Sequence, residues 1–349
     1  MVQTTHKTGH WNLTDLKDIP KNGYKVFSCF HCGGGSTMGY KLSGFDVLGG
    51  VEIDPEMMKV YKTNHNPKYS YLMGVQDFNK LPREDIPKEL FNLDILDGSP
   101  PCSSFSMAGS RDKAWGKNKK FREGQAVQVL DDLFFHFIET ARILQPKIVV
   151  AENVKGLITG KAKGYVKEIV QMFNHAGYDL QLFLLNAAFM GVPQRRERTF
   201  FIAKRKGLRL DNLKLDFSEK PILFKDIKEK GAELHLTSRL KKLWDNKTKN
   251  DLHIGFINKR LTGKITGFTT MIQHDEKVLY TITASDSNIL YSEPRHLTKK
   301  EVIIDQSFPI DFDFINNKPK YICGMSVPPY MMNRVSKQIQ LQWLDKLKV

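Results

Sequence analysis

Three consecutive glycines, placed between an apolar strand and an amphipathic stretch, constrain this chain's fold more than any other feature. Residues 24–30 suit a buried strand, His31, Cys32, Gly33, Gly34 and Gly35 follow, and 37–43 carry helical spacing. Gly33, Gly34 and Gly35 let a ligand approach the backbone closely, facing the N-terminus of the next helix. Any tight turn can use glycine, so the second strand matters. Residues 46–53 read as that strand, and its tip carries Glu52, Ile53 and Asp54. A carboxylate there is where a doubly wound nucleotide-binding sheet holds a ribose.

The alternation continues along the chain. Residues 93–97 predict a strand, 127–144 a long amphipathic helix, and 148–151 and 200–203 further strands. The predicted fold is therefore α/β, a doubly wound, mostly parallel sheet with active residues at strand carboxyl ends. Beyond Lys204 lysines become frequent, and alternation replaces helical spacing at 265–272 and 278–283. We expect a sheet domain over 1–205, a smaller, irregular, β-rich domain over 206–290, and a return segment over 291–349 that completes the first.

The chain carries 53 Lys and Arg against 38 Asp and Glu, a formal charge of +15 that favours encounter with a polyanion without choosing between DNA, RNA and an anionic surface. No apolar stretch approaches the roughly 20 residues that span a bilayer, and 1–21 are polar, so a cytoplasmic protein without a membrane partner is expected. Cys29, Cys32, Cys102 and Cys323 are too scattered for a disulfide framework. Cys29 and Cys32 form a CxxC, but no second ligand pair accompanies it, and no metal is expected.

Candidate chemistry lies at the strand ends. Pro100 and Pro101 fix the backbone ahead of Cys102 and present its thiol as a candidate nucleophile, although a free cysteine is most often a small buried apolar residue. Glu152, followed by Asn153, ends a strand; it is a candidate acid–base group or, equally, a helix-capping or surface acid. Gln194, Arg196 and Arg198 follow a turn at Gly191, Val192 and Pro193. Alternation puts both arginines on one face, suiting an anion or a base carbonyl, or else a solvated charge run.

Taken in order, these motifs resemble the DNA (cytosine-5)-methyltransferases. Residues 30–35 resemble the FxGxGG loop, Pro101 and Cys102 with Ser106 the PCxxxS loop, Glu152, Asn153 and Val154 the ENV motif, and Gln194, Arg196 and Arg198 the QxRxR motif. Arg295, Leu297, Thr298, Glu301, Phe308 and Pro309 resemble the late supporting segment, and Gly324, Ser326, Val327 and Pro328 the final GNSVP motif. Cys32 stands where the family usually has glycine, and Met325 where it has asparagine.

The resemblance implies a Rossmann-like S-adenosylmethionine-dependent methyltransferase with a target-recognition domain at 206–290. It would transfer a methyl group to C5 of a flipped-out cytosine in double-stranded DNA, leaving S-adenosylhomocysteine. Cys102, Glu152, Arg196 and Arg198 would be catalytic. Phe30, Gly33, Gly34, Gly35, Glu52, Ile53, Asp77, Pro100, Leu133, Ser326 and Val327 would hold the cofactor, and Ser104, Ser106, Arg111, Lys113, Arg122 and Gln194 the nucleic acid. A monomer is expected, with any cognate restriction endonuclease acting separately. Methyltransferases of exocyclic amines usually place an aromatic residue after the paired prolines, where this chain has Cys102. Methylation of transfer RNA by the same chemistry, and a degenerate DNA-binding relative, are the other readings.

Overall fold

A computed structural model describes residues 10–101, 118–119, 128–129, 132–159, 163–232, 235–266, 270–284 and 288–348. Seven strands build its main sheet: β1 (Lys25–Cys29), β2 (Asp46–Glu52), β3 (Tyr69–Leu72), β4 (Ile95–Gly98), β5 (Ile148–Val154), β6 (Tyr178–Asn186) and β7 (Glu197–Arg205), in the order β3-β2-β1-β4-β5-β7-β6. Strands β1 to β5 pair in parallel, and β7 runs antiparallel to β5. The doubly wound, mostly parallel expectation is met. Chain order reverses between β1 and β4, and in such sheets ligands bind at the carboxyl ends beside that switch.

Sequence explains the sheet's centre. Val26 to Cys29 and Ile148 to Ala151 are continuous apolar or small runs, buried throughout, as strands covered on both faces must be. Helices α1 (Gly35–Leu42), α2 (Pro55–His65), α3 (Leu133–Leu144) and α4 (Lys163–His175) accompany it. Phe134 on α3 meets Phe201 on β7 edge-on with ring centroids 5.1 Å apart, inside one core that includes Phe27, Leu96, Phe137 and Val149. Asp54 starts α2 by accepting the Glu56 and Met57 amides, with Pro55 in the first turn, where a missing N–H costs nothing.

Contacts divide the chain into two compact units. The sheet unit comprises 16–185, 197–216 and 331–349; the other comprises 1–15, 186–196 and 217–330. In the sheet unit the C-terminal segment folds back: Asn333 donates to Ser43 Oγ at 2.8 Å and Trp343 to the Asp211 carbonyl at 2.8 Å. No helix among the described residues is long and apolar enough to cross a membrane.

The second unit holds α5 (Ser238–Asp245), α6 (Ile254–Thr262), α7 (Lys299–Asp305) and α8 (Pro319–Met325), with two-residue ladders such as Ile272–Gln273 against Ile289–Leu290. Segment 291–330, expected to return to the sheet domain, packs within this unit, because Ile304 joins a core with Phe224, Ile227, Leu279 and Leu290. Arg295 donates both terminal nitrogens to Glu301, at 2.9 and 2.8 Å, and the two side chains are 2% and 0% exposed. Glu301 also accepts the Thr298 and Glu229 amides, so it caps α7 and ties in a distant loop. Arg295→Met would strand that carboxylate in the interior. We expect a loss of about 3–5 kcal/mol in urea unfolding, the cost of breaking rather than replacing a buried pair.

Candidate active site

The glycine turn is built as its sequence demands. Phe30 (φ 56°), Cys32 (φ 49°) and Gly34 (φ 88°) all take left-handed backbone conformations. At Gly34 a Cβ would lie 2.2 Å from His65 Nε2, so glycine is required there by space as well as by φ. His31 and Tyr61 stack with ring centroids 3.7 Å apart behind the turn, and the His65 ring contacts the Gly33 carbonyl at 3.0 Å. Burial pushes His31 down to about 4 and His65 to about 3, so both stay neutral at physiological pH. This aromatic support was not anticipated from the sequence, since His31, Tyr61 and His65 share no motif.

Glu52, at the tip of β2, pins the turn in place. Its Oε2 accepts the Cys32 amide at 3.0 Å, and Oε1 accepts the amides of Ile53 and Asp54 at 2.9 and 3.0 Å. Burial raises its pKa against the pull of those three bonds. Ile53 thus contributes its amide, and Leu133 is buried at the start of α3. Asp77 lies on the short helix Val75–Phe78 that follows β3; its side chain is 58% exposed and pairs with Lys80 at 3.3 Å.

Two strand ends carry the acid and the guanidinium. Glu152 on β5 is paired with Phe200 of β7, two residues from Arg198, whose own partner is Val154; across that diagonal Arg198 Nε reaches Glu152 Oε1 at 2.8 Å, with the arginine and glutamate side chains 13% and 10% exposed. Both residues lie inside their strands, since β5 runs three residues past the predicted end and β7 starts three residues before the predicted beginning. Asn153, on the opposite face, donates its amide to the Pro100 carbonyl at 3.0 Å. That bond anchors the backbone immediately ahead of Pro101 and Cys102. Cys102 lies outside the described residues, as do Ser104, Ser106, Arg111, Lys113 and Arg122.

One acid beside this site was missed. Asp97 on β4 is 2% exposed and accepts from Ser28 Oγ at 2.7 Å and Tyr40 OH at 3.2 Å. Burial pushes it up to about 7, offset by those bonds and one from Ser36, while Glu152 adds to the rise. A carboxyl raised this way contributes fully to stability at acidic pH and loses that contribution as pH climbs from the ordinary carboxylate range through 7. The total is on the order of 4 kcal/mol. The stability gap between Asp97→Asn and the parent is therefore expected to move in the variant's favour between pH 5 and pH 8, read from paired urea titrations.

In the second unit, Gln194 and Arg196 are placed differently from the expected ligand contacts. Gln194 is fully buried; its amide nitrogen donates to Asp305 and, at 2.8 Å, to Gln306, leaving no surface for nucleic acid. Arg196 donates to the carbonyls of Ile282, Gly324 and Ser326 at 3.0–3.1 Å and is 2% exposed. It lies between the Gln194–Arg195 bridge strand and β7, so simple alternation does not continue to Arg198, and each arginine has its own partners. Ser326 and Val327 are buried, and Ser326 Oγ has no partner among the described residues. No group of three or more His, Cys, Asp or Glu that could hold a metal occurs among the described residues.

A mostly parallel sheet with a glycine turn after β1, an acid at the end of β2 and an acid–guanidinium pair across β5 and β7 defines a Rossmann-like methyltransferase. The comparisons agree. The family model for C-5 cytosine-specific DNA methylases matches residues 24–341, and the chain belongs to that family. It is 28% identical to the Type II methyltransferase M.FnuDI of Fusobacterium nucleatum over 93% of this chain and 96% of that protein. It is 35% identical to M.NgoPII of Neisseria gonorrhoeae, over 54% of this chain but only 50% of that one. Among solved structures, a DNA modification methyltransferase encoded within an E. coli prophage superposes with a TM-score of 0.67 at 22% identity, covering 92% of this chain and 99% of that one. Spodoptera frugiperda DNMT2 does so at 0.63 and 18%, over 91% and 99%. These likenesses establish the fold.

Proposed function

We propose that this protein methylates C5 of cytosine in double-stranded DNA through a covalent adduct on Cys102. The observation that carries the reading is the Glu152–Arg198 ion pair at 2.8 Å, beside the Asn153 bond that holds Pro100 ahead of Cys102. C5 of an aromatic pyrimidine is a poor nucleophile. Addition of the Cys102 thiolate to C6 breaks the ring's conjugation and loads electron density onto C5, dividing one hard step into two easier ones. Glu152 contacts N3 and the exocyclic amine and stabilises the charge that gathers there; Arg198 orients Glu152 and keeps its carboxyl on the base. Once C5 carries the transferred methyl group, its proton passes to a base or to solvent, the C5–C6 double bond re-forms, and Cys102 leaves as the thiolate.

S-adenosylmethionine supplies the electrophilic sulfonium methyl when bound. The residues of the sheet unit suit it. Phe30 is half-buried at a positive φ beside the turn, and Glu52 has three of its roughly four lone-pair directions occupied, leaving one for a ribose hydroxyl. Gly33, Gly34, Gly35, Ile53, Pro100 and Leu133 complete that assignment, and Ser326 and Val327 carry it from the family resemblance. Arg196 serves by holding the backbone of Gly324 and Ser326.

The target base is stacked within a duplex and has to be flipped out, at a cost of a few kcal/mol. Lysines of the 206–290 region supply sequence-independent attraction to phosphates, and other side chains there read the bases. Glu152→Gln keeps the shape and removes the charge, so the methylation rate is expected to fall about 10²–10⁴-fold while cofactor binding is retained. Bisulfite sequencing of DNA from cells expressing the chain tests the whole reading: protected cytosines in one sequence context support it, and unmodified DNA alongside well-expressed protein refutes it.

A further inference from the structure

Asp97 has no part in the mechanism above, yet it stands where chain order reverses in the sheet. It pairs in register with Ser28 on β1 and Val150 on β5, so it lies at the switch between β1 and β4, one residue short of the strand's carboxyl end. Side chains alternate along a strand, so Asp97, Ser28, Val150 and Glu152 share one face, the face on which Tyr40 of α1 meets Asp97. Gly98, the next residue, faces the other side, where a Cβ would strike Phe137 at 2.4 Å.

The bonding around Asp97 is that of an anion acceptor. Ser28 and Tyr40 both donate hydroxyl protons to it, and Ser36 adds a third bond. Hydroxyl donors favour the charged carboxylate, whereas burial opposes it. The titratable groups that feel its charge are Tyr40 on α1, Tyr61 on α2, Glu152 on β5 and, from the other face of β1, Cys29, all acids, so none of them supplies the positive charge that would settle it. The group is prepared to be a carboxylate and stands at the ligand-binding end of the sheet.

We propose that Asp97 is a buried counter-charge for the sulfonium of S-adenosylmethionine, so that the protein holds the cationic donor in preference to the neutral-sulfur by-product. This rests on the methyl-transfer reading. Transfer converts the sulfonium to a thioether, and the attraction that retained the donor vanishes with the positive charge, which favours release of the spent cofactor. Because Asp97 is poised near neutrality, a cation bound beside it draws the proton off. Donor binding therefore releases a proton below pH 7, and the donor's affinity rises with pH until the free carboxyl is already ionised.

Calorimetry on the whole chain, without DNA, tests this with S-adenosylmethionine and S-adenosylhomocysteine as probes. Titrations run at pH 5.5 and 7.5, each in two buffers of different ionisation enthalpy, so that protons released are counted directly. The donor's Kd is expected to fall about tenfold more than the by-product's across that interval, with the extra proton released only for the donor. In Asp97→Asn, which keeps the shape and one of the two acceptor oxygens that Ser28 and Tyr40 use, the two ligands should show the same pH response. The wild-type proton count decides the matter even if that variant does not fold. Equal responses for the two ligands in the parent protein, or a donor preference that survives Asp97→Asn, overturn the Asp97 proposal and leave the methyl-transfer reading standing. Failure of both ligands to bind at either pH overturns both.

Discussion

Cys102→Ser is expected to abolish methyl transfer, lowering the rate by roughly 10⁴-fold or more. A serine hydroxyl is far less acidic than a thiol and has to be ionised by a neighbouring base before it attacks C6, whereas a thiol needs only a modest fall in pKa. The fold is not expected to suffer. Two prolines set the backbone before this position, and Pro100 stays tied to Asn153 whatever side chain follows. Transfer of radiolabelled methyl groups to unmethylated DNA measures the loss, and unchanged cofactor binding in the same variant separates lost chemistry from lost structure. A fall of only a few-fold would mean that the addition step belongs to another residue.

The second large effect is structural. Gly49→Ala is expected to cost about 4 kcal/mol or more, enough to unfold many domains of this kind. Gly49 sits inside β2 at φ 139°, where a Cβ would lie 1.7 Å from the Tyr69 carbonyl oxygen and 2.7 Å from its carbon. Both are backbone atoms of the paired strand β3 and cannot turn aside. The register of β2 against β1 also slips beside this residue, from Val47 opposite Val26 to Gly49 opposite Phe27, as glycine in a strand often permits. That slip sets where Glu52 arrives at the strand tip, so the substitution should weaken cofactor binding even in whatever fraction folds. Gly164→Ala is the matched control: nothing lies within 4 Å of a Cβ there, it belongs to α4, and a gain of up to about 1 kcal/mol is expected. Urea midpoints for the two variants decide the point.

Much of the architecture was legible because its signals were local. The apolar runs of β1 and β5, the glycines after β1 and the acid at the end of β2 each announce themselves within a few residues, and together they give a doubly wound sheet. Strand ends were placed less well. Glu152, Asn153 and Val154 look like a polar terminus, yet they pair fully with β7, because the ladder continues through Arg198 to Val154. β6 was not anticipated: Leu182 and Leu184 are 39% and 44% exposed, so its outer face offers no clean alternation.

Site residues divide along the same line. Glu152 and Arg198 were named for chemistry, and they meet. Gln194 and Arg196 were named from the same short motif but satisfy carbonyls and amides brought from residues 282–326, partners whose proximity only the folded chain reveals. Asp97 reads in the sequence as no more than the last residue of an apolar strand. Its significance comes from Ser28 on one side and Tyr40 above, separated from it by 69 and 57 residues. In 206–290, alternation suggested strands, whereas the described residues form two helices and two-residue ladders. There Ile254, Ile257, Ile272 and Ile289 gather into a small core that tertiary packing, rather than local pattern, selects.

The most direct test is to trap the adduct. A duplex drawn from the methylated context, with 5-fluorocytosine at the target, cannot release the enzyme once the methyl group has transferred, because C5 then holds fluorine where a proton must leave. Mass spectrometry of the intact protein incubated with this duplex and S-adenosylmethionine should show one covalent DNA adduct, mapped to Cys102 and lost in Cys102→Ser. No adduct from protein that methylates ordinary DNA, or one that persists in the serine variant, would contradict a cysteine–pyrimidine bond.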